Sequence, residues 1–156
     1  MAKKGGGTNA PVNNLANNGV YVLMDEITMQ SCADCLKWIM NQNLAETRLP
    51  QLTIIINSPG GDVHAAFALI DTMKASTIPI KTVGLGLIAS CGFLIFIAGK
   101  KGSRILTPNT SILSHQYSWG SAGKEHELYA RVKEFELSTQ RMIEHYKKCI
   151  GMSEKQ

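Results

Sequence analysis

Residues 83–98 read VGLGLIASCGFLIFIA, the most apolar run of the chain, and how this run folds decides the architecture. From Val83 to Ala98 it is 16 residues long, short of the roughly 20 that a bilayer-spanning helix needs. Glycines 84, 86 and 92 also interrupt it. The run therefore predicts a buried strand, a turn of small residues and a buried helix from about Ser90 to Ala98. Ser90 falls at that turn, between Ala89 and Cys91.

The segments on either side alternate in type. Val20–Met24 (VYVLM) is strand-like, and from Thr28 to about Leu44 the residues Met29, Cys32, Leu36, Ile39 and Met40 recur at helical spacing. Leu52–Ile56 (LTIII) is a short β-branched run that predicts a strand covered on both faces. The turn cluster Asn57-Ser-Pro-Gly-Gly61 follows, then a helix from Asp62 to about Lys74 with the stripe Val63, Phe67, Ile70 and Met73. Pro79 precedes the next strand, Ile80 to Leu85. Short strands are expected at Arg104–Leu106 and Ser111–Ser114, then a loop, YSWGSAG (117–123), and a long helix from about Lys124 to Ile150. That helix carries Leu128, Val132, Phe135, Thr139, Met142, Tyr146 and Cys149 on one stripe. Parallel strands joined by helices make right-handed crossover units, so the fold class is α/β. A helix of that length in so short a chain also suggests packing on another subunit.

Composition narrows the function. A chain of 156 residues is the size of one domain, and 44% hydrophobic with 18% charged residues is ordinary for a globular protein. The net charge of +4 comes with no concentrated basic face, so nucleic acid is not an expected partner. Residues 1–14, MAKKGGGTNAPVNN, have two lysines but no apolar region behind them, which reads as a mobile polar tail over 1–18 ahead of a single domain at 19–156. Four cysteines (32, 35, 91 and 149) without a secretory leader read as reduced thiols in a cytoplasmic compartment. Cys32-Ala-Asp-Cys35 is a C-x-x-C without a second pair, and its cysteines fall on the apolar side of a predicted helix, so no metal site is expected. His64, His126 and His145 fall on helices among polar residues and are expected to face solvent. Asp62, in the first turn of its helix, complements the helix dipole.

Three stretches carry chemistry. Ser90, near a helix N-terminus, is placed where unpaired N–H groups favour developing negative charge, which suits a nucleophile; the same position suits a close-packing residue or an N-cap. His115 lies at the end of a predicted strand, where α/β sheets place reactive groups and where structural histidines are also common. Gly60 and Gly61 can present backbone N–H donors to a substrate oxygen, or simply make a turn.

Together, IINSPGGDVHAAFALIDTMK, GLIASCG and RILTPNTSILSHQ resemble, in that order, the signatures of the Clp protease proteolytic subunit (ClpP) family, over about Val20 to Gly151. The resemblance implies a ClpP/crotonase-like fold of repeated β-β-α units with a long handle helix at about 124–150. It implies a serine endopeptidase acting on unfolded polypeptide, with Ser90 as nucleophile and His115 as general base. It further implies an oxyanion hole and substrate strip from Gly60, Gly61 and Cys91. No cofactor or metal is implied for this chain, ATP being used by a partner AAA+ Clp ATPase. Heptameric rings stacked as a homo-oligomeric tetradecamer, and no membrane association, are implied as well. Some positions depart from the pattern. No acid in the chain matches the third triad member, which predicts a domain incomplete at its C-terminus; Ser114 replaces an apolar residue, and Tyr117 a proline. Two alternatives stand beside the peptidase: a ring subunit impaired by the missing acid, and a crotonase-type acyl-CoA enzyme, which shares the glycine strip but needs no Ser-His pair.

Overall fold

The computed structural model describes residues 14–115 and 120–152. Among these residues a 3-10 turn at Leu15–Asn18 is followed by β1 (Val20–Leu23), α1 (Met29–Leu44), β2 (Leu52–Ser58), α2 (Val63–Ala75), β3 (Ile80–Ala89), α3 (Cys91–Ala98), β4 (Arg104–Leu106), β5 (Ser111–Leu113) and α4 (Glu125–Ile150). The apolar run at 83–98 is the end of β3 and all of α3, as its glycines predict. No helix among the described residues is long and apolar enough to cross a membrane.

The sheet order is β1-β2-β3-β4, with β5 also pairing β3, and every pairing is parallel. Successive right-handed crossovers that all step in one direction put their helices on one face of the sheet. α1, α2, α3 and α4 accordingly contact one another in chain order as a single layer. This corrects the expectation that β2 is covered on both faces. Leu52, Ile54, Ile56 and Ser58 are buried under the helices, whereas Thr53, Ile55 and Asn57 are only half-buried. Continuous β-branched character records apolar surface on both sides of the strand, but the helical layer reaches one side only.

β3 is the central strand and is longer than Ile80–Leu85. Its first half pairs β2 and β4, and its second half, Leu87–Ala89, pairs β5. Between the halves the register against β2 jumps, Ile56 pairing Gly84 and Ser58 pairing Ile88. Gly86 lies in this irregularity at φ 62, a left-handed conformation that glycine adopts without steric cost. The bulge re-aims the last residues of β3, which lead directly into Ser90.

Helix starts are set by local capping. The Thr28 hydroxyl accepts from the Ser31 N–H at the head of α1, and the Asp62 carboxylate accepts from the His64 and Ala65 N–H groups at the head of α2. Asp62 is thus the cap itself and not a residue of the first turn. Residues 15–18 form a 3-10 turn whose Ala16 carbonyl accepts from Trp38 Nε1 (3.1 Å) and Gln42 Nε2 (3.1 Å) on α1. Residues 1–13 of the tail, and Tyr117–Trp119 of the loop before α4, lie outside the described residues.

α4 divides into two parts. Met142, Tyr146 and Cys149 pack against the core, whereas Tyr129, Val132 and Leu137 are exposed. His145 contradicts the expectation of a solvent-facing residue. It is buried, and its Nε2 donates to the Leu94 carbonyl of α3 at 2.9 Å. Polar neighbours in sequence misled here, because His145 shares a helix face with Met142 and Cys149. His64 and His126 are exposed as expected.

Candidate active site

The backbone at Ser90 is the first feature of the site. It has φ 50 and ψ −121, the only positive φ at a non-glycine among the described residues. Holding an L-residue there costs on the order of 1–3 kcal/mol and persists only where surrounding structure enforces it. Three backbone bonds do so. The Ser90 N–H donates to the Leu113 carbonyl of β5 (2.8 Å), and the Ser90 carbonyl accepts from Phe93 and Leu94 of α3. The hydroxyl makes no capping bond to its own helix, so the N-cap alternative does not account for a serine here. A sharp strand-to-helix turn of this kind presents the side chain outward.

The glycine strip lies against that turn. The Gly60 N–H donates to the buried Ser58 Oγ (3.1 Å), the Gly60 carbonyl accepts from the Ile27 N–H (2.8 Å), and the Ile27 carbonyl accepts from the Asp62 N–H (2.7 Å). In a trans peptide the N–H points opposite to the preceding carbonyl. With the Gly60 carbonyl turned to Ile27, the Gly61 N–H points the other way, and Gly61 lines a cleft. Cys91, the first residue of α3, donates its thiol to the Gly61 carbonyl (3.2 Å). Burial pushes that thiol's pKa up, so it stays a neutral donor.

Only glycine fits the strip. At Gly60 φ is 98, and a Cβ would lie 2.6 Å from Ser90 Cβ and 3.0 Å from the Ala89 carbonyl. Gly60→Ala is therefore expected to destabilise the protein by about 2–4 kcal/mol, which urea unfolding checks.

A cleft of about 320 Å³ joins these pieces: Gly61, Ser90, Cys91 and His115 all line it. His115 is two residues beyond the carbonyl that holds Ser90, on exposed chain after β5. Apolar side chains, Val63, Leu94, Phe135 and Met142, form much of the remaining wall. At the rim Glu134 accepts from Ser138 Oγ (2.9 Å) and pairs with Arg141 (3.5 Å) and His64 (3.8 Å). Asp62, the other carboxylate of the cleft, is engaged in capping α2. Sequence reasoning missed the rim, whose members come from α2 and α4 and share no local motif.

Cys32 and Cys35 sit elsewhere, inside α1, where burial raises both thiols, Cys32 to about 11. Protonated thiols packed in a core are poor ligands and poor nucleophiles.

The buried His145 makes a separate prediction. Burial first, and then the Lys74 and Arg104 charges, depress its pKa below the usual 6.5, opposed by the bond to Leu94. The unfolded chain therefore takes up this proton at higher pH than the folded one. Stability from the neutral ring is complete above about pH 6.5 and is lost as the pH falls toward the folded-state pKa. Urea midpoints at pH 7.5 and 5 are expected to differ, and less so in His145→Leu.

Residues 3–156 match the Clp protease family. The chain belongs to the Clp protease family. It is 35% identical over 132 residues to an ATP-dependent Clp protease proteolytic subunit 1 of Corynebacterium jeikeium, covering 85% of this chain and 68% of that one. It is 36% identical over 129 residues to a proteolytic subunit 2 of Corynebacterium diphtheriae, covering 83% and 62%. Against a proteolytic subunit 1 of Chlamydia abortus it is 34% identical over 131 residues, covering 83% and 68%. This Clp protease chain thus spans about two thirds of the length of these relatives.

Proposed function

We propose that this chain is a subunit of a Clp-type serine endopeptidase that cleaves unfolded polypeptide through an acyl-enzyme on Ser90. The observation that carries the reading is the strained Ser90 turn opening into the cleft that Gly61, Cys91 and His115 also line. The relatives named as ATP-dependent Clp protease proteolytic subunits support it.

In this mechanism the His115 imidazole takes the Ser90 hydroxyl proton as Oγ attacks the scissile carbonyl. The carbonyl π pair moves to oxygen, and the oxyanion accepts hydrogen bonds from the Gly61 and Cys91 N–H groups. As the C–N bond breaks, His115 returns its proton to the departing amine. Water then attacks the ester with His115 again as base, and Ser90 leaves with the proton. The substrate lies along the glycine strip as an added strand, with an apolar side chain in the wall of Val63, Leu94 and Met142. We assign no residue of the chain to the third, acidic role. No cofactor enters these steps; ATP belongs to a partner unfoldase.

The proposed setting is a cytoplasmic ring of like subunits. Exposed apolar residues on the sheet, Leu87 of β3, Ile105 of β4 and Ile112 and Leu113 of β5, and on α4, Tyr129, Val132 and Leu137, support burial against neighbours. The test is cleavage of an unfolded reporter polypeptide by the full chain with its oligomeric state measured alongside. Cleavage in the assembled fraction is expected; an assembled chain that leaves the reporter intact would overturn the reading.

A further inference from the structure

Two polar side chains from distant parts of the chain meet beside the cleft and play no part in the mechanism above. Ser114 Oγ and Tyr146 Oη lie 2.9 Å apart, joining the residue before His115 to α4. Each hydroxyl can donate or accept, so the pair is bonded in either sense.

The Tyr146 end is anchored. Its ring packs against the core and lies 6.0 Å from the Phe93 ring of α3. The preceding residue, His145, is bonded to Leu94, and the Cys149 carbonyl accepts from Arg104 (2.7 Å). The Ser114 end lies on exposed chain just past β5, a strand of three exposed residues. Residue 113 is held to the nucleophile by the Ser90 N–H (2.8 Å) and residue 114 to α4 by Tyr146. His115 is the next residue along. A Ser114 tied to α4 therefore fixes the chain from which His115 reaches the cleft it lines.

We propose that Tyr146 is a positioning residue for His115: its hydroxyl holds Ser114 and so sets the direction in which the imidazole enters the cleft. In a Ser-His pair, orientation of the ring is worth orders of magnitude in rate, and part of that orientation comes here from α4 through the backbone. The efficiency of the base then depends on how α4 is seated on α3. This inference rests on the assignment of Ser90 and His115 above.

Tyr146→Phe keeps the ring on Phe93 and removes one oxygen; Ser114→Ala removes its partner. With a fluorogenic peptide, either change is expected to lower kcat about five- to tenfold with KM unchanged. The double variant should fall no further than the single ones, and Tyr146→Phe should add no loss on a His115→Ala background. The His115 ring signal in NMR should move in Tyr146→Phe and stay fixed in Tyr129→Phe, a change at an exposed α4 tyrosine. Additive losses, an effect in KM alone, undiminished kcat in both single variants, or an unmoved His115 signal would each overturn the inference. A wild-type chain with neither hydrolysis nor covalent labelling of Ser90 would instead remove the reading beneath it, while the NMR comparison still decides whether Tyr146 orients the ring.

Discussion

Replacing Ser90 by alanine is expected to lower kcat for peptide hydrolysis by about 10⁵- to 10⁶-fold and to leave the fold intact. The two halves of this expectation come from different observations. Activity goes because, in the proposed mechanism, Oγ is the atom that bonds to the substrate carbonyl. Stability stays because the hydroxyl caps nothing in α3, and alanine keeps the same Cβ at the same positive φ. Urea midpoints of the two proteins should agree within about 0.5 kcal/mol. Cys91 does not rescue the variant, since burial raises its pKa and its thiol is directed to the Gly61 carbonyl.

His115→Ala is the second large effect, with kcat expected to fall about 10⁴-fold or more while KM changes little. In the proposed mechanism the imidazole carries the proton in both halves of the reaction, whereas the substrate is held along the glycine strip and the apolar wall. Binding therefore survives a change that removes the base. The side chain is exposed on chain beyond β5, so its loss costs little folding energy. Steady-state kinetics over a range of peptide concentrations separates the two constants; a rise in KM with kcat unchanged would give His115 a binding role instead.

Where local pattern controls structure, the sequence was legible. The glycines of 83–98 divided a greasy run into strand, turn and helix, and the observed β3 and α3 meet at Ser90. Of Asn57–Gly61, read as a turn with bare backbone, Asn57 and Ser58 belong to β2, while the two glycines have φ values that side chains resist. What escaped depends on partners far away in the chain. The one-sided covering of β2 follows from the direction of three successive crossovers, which no single strand records. His145 looked solvent-facing because its sequence neighbours are polar, whereas its carbonyl partner Leu94 lies 51 residues away. The Ser114–Tyr146 pair spans 32 residues; the unusual serine before the histidine was visible, but not the tyrosine it meets. Residues 15–18 are polar enough to pass for tail, yet the Ala16 carbonyl is fixed by two side chains of α1.

The central claim is that Ser90 is the nucleophile of this cleft. Its most direct test is incubation of the full chain with a fluorophosphonate probe, followed by peptide mapping of the adduct. One probe per chain on Ser90 is predicted, absent from Ser90→Ala and formed far more slowly in His115→Ala. Labelling at another residue, or none in a folded and assembled protein, would contradict the account.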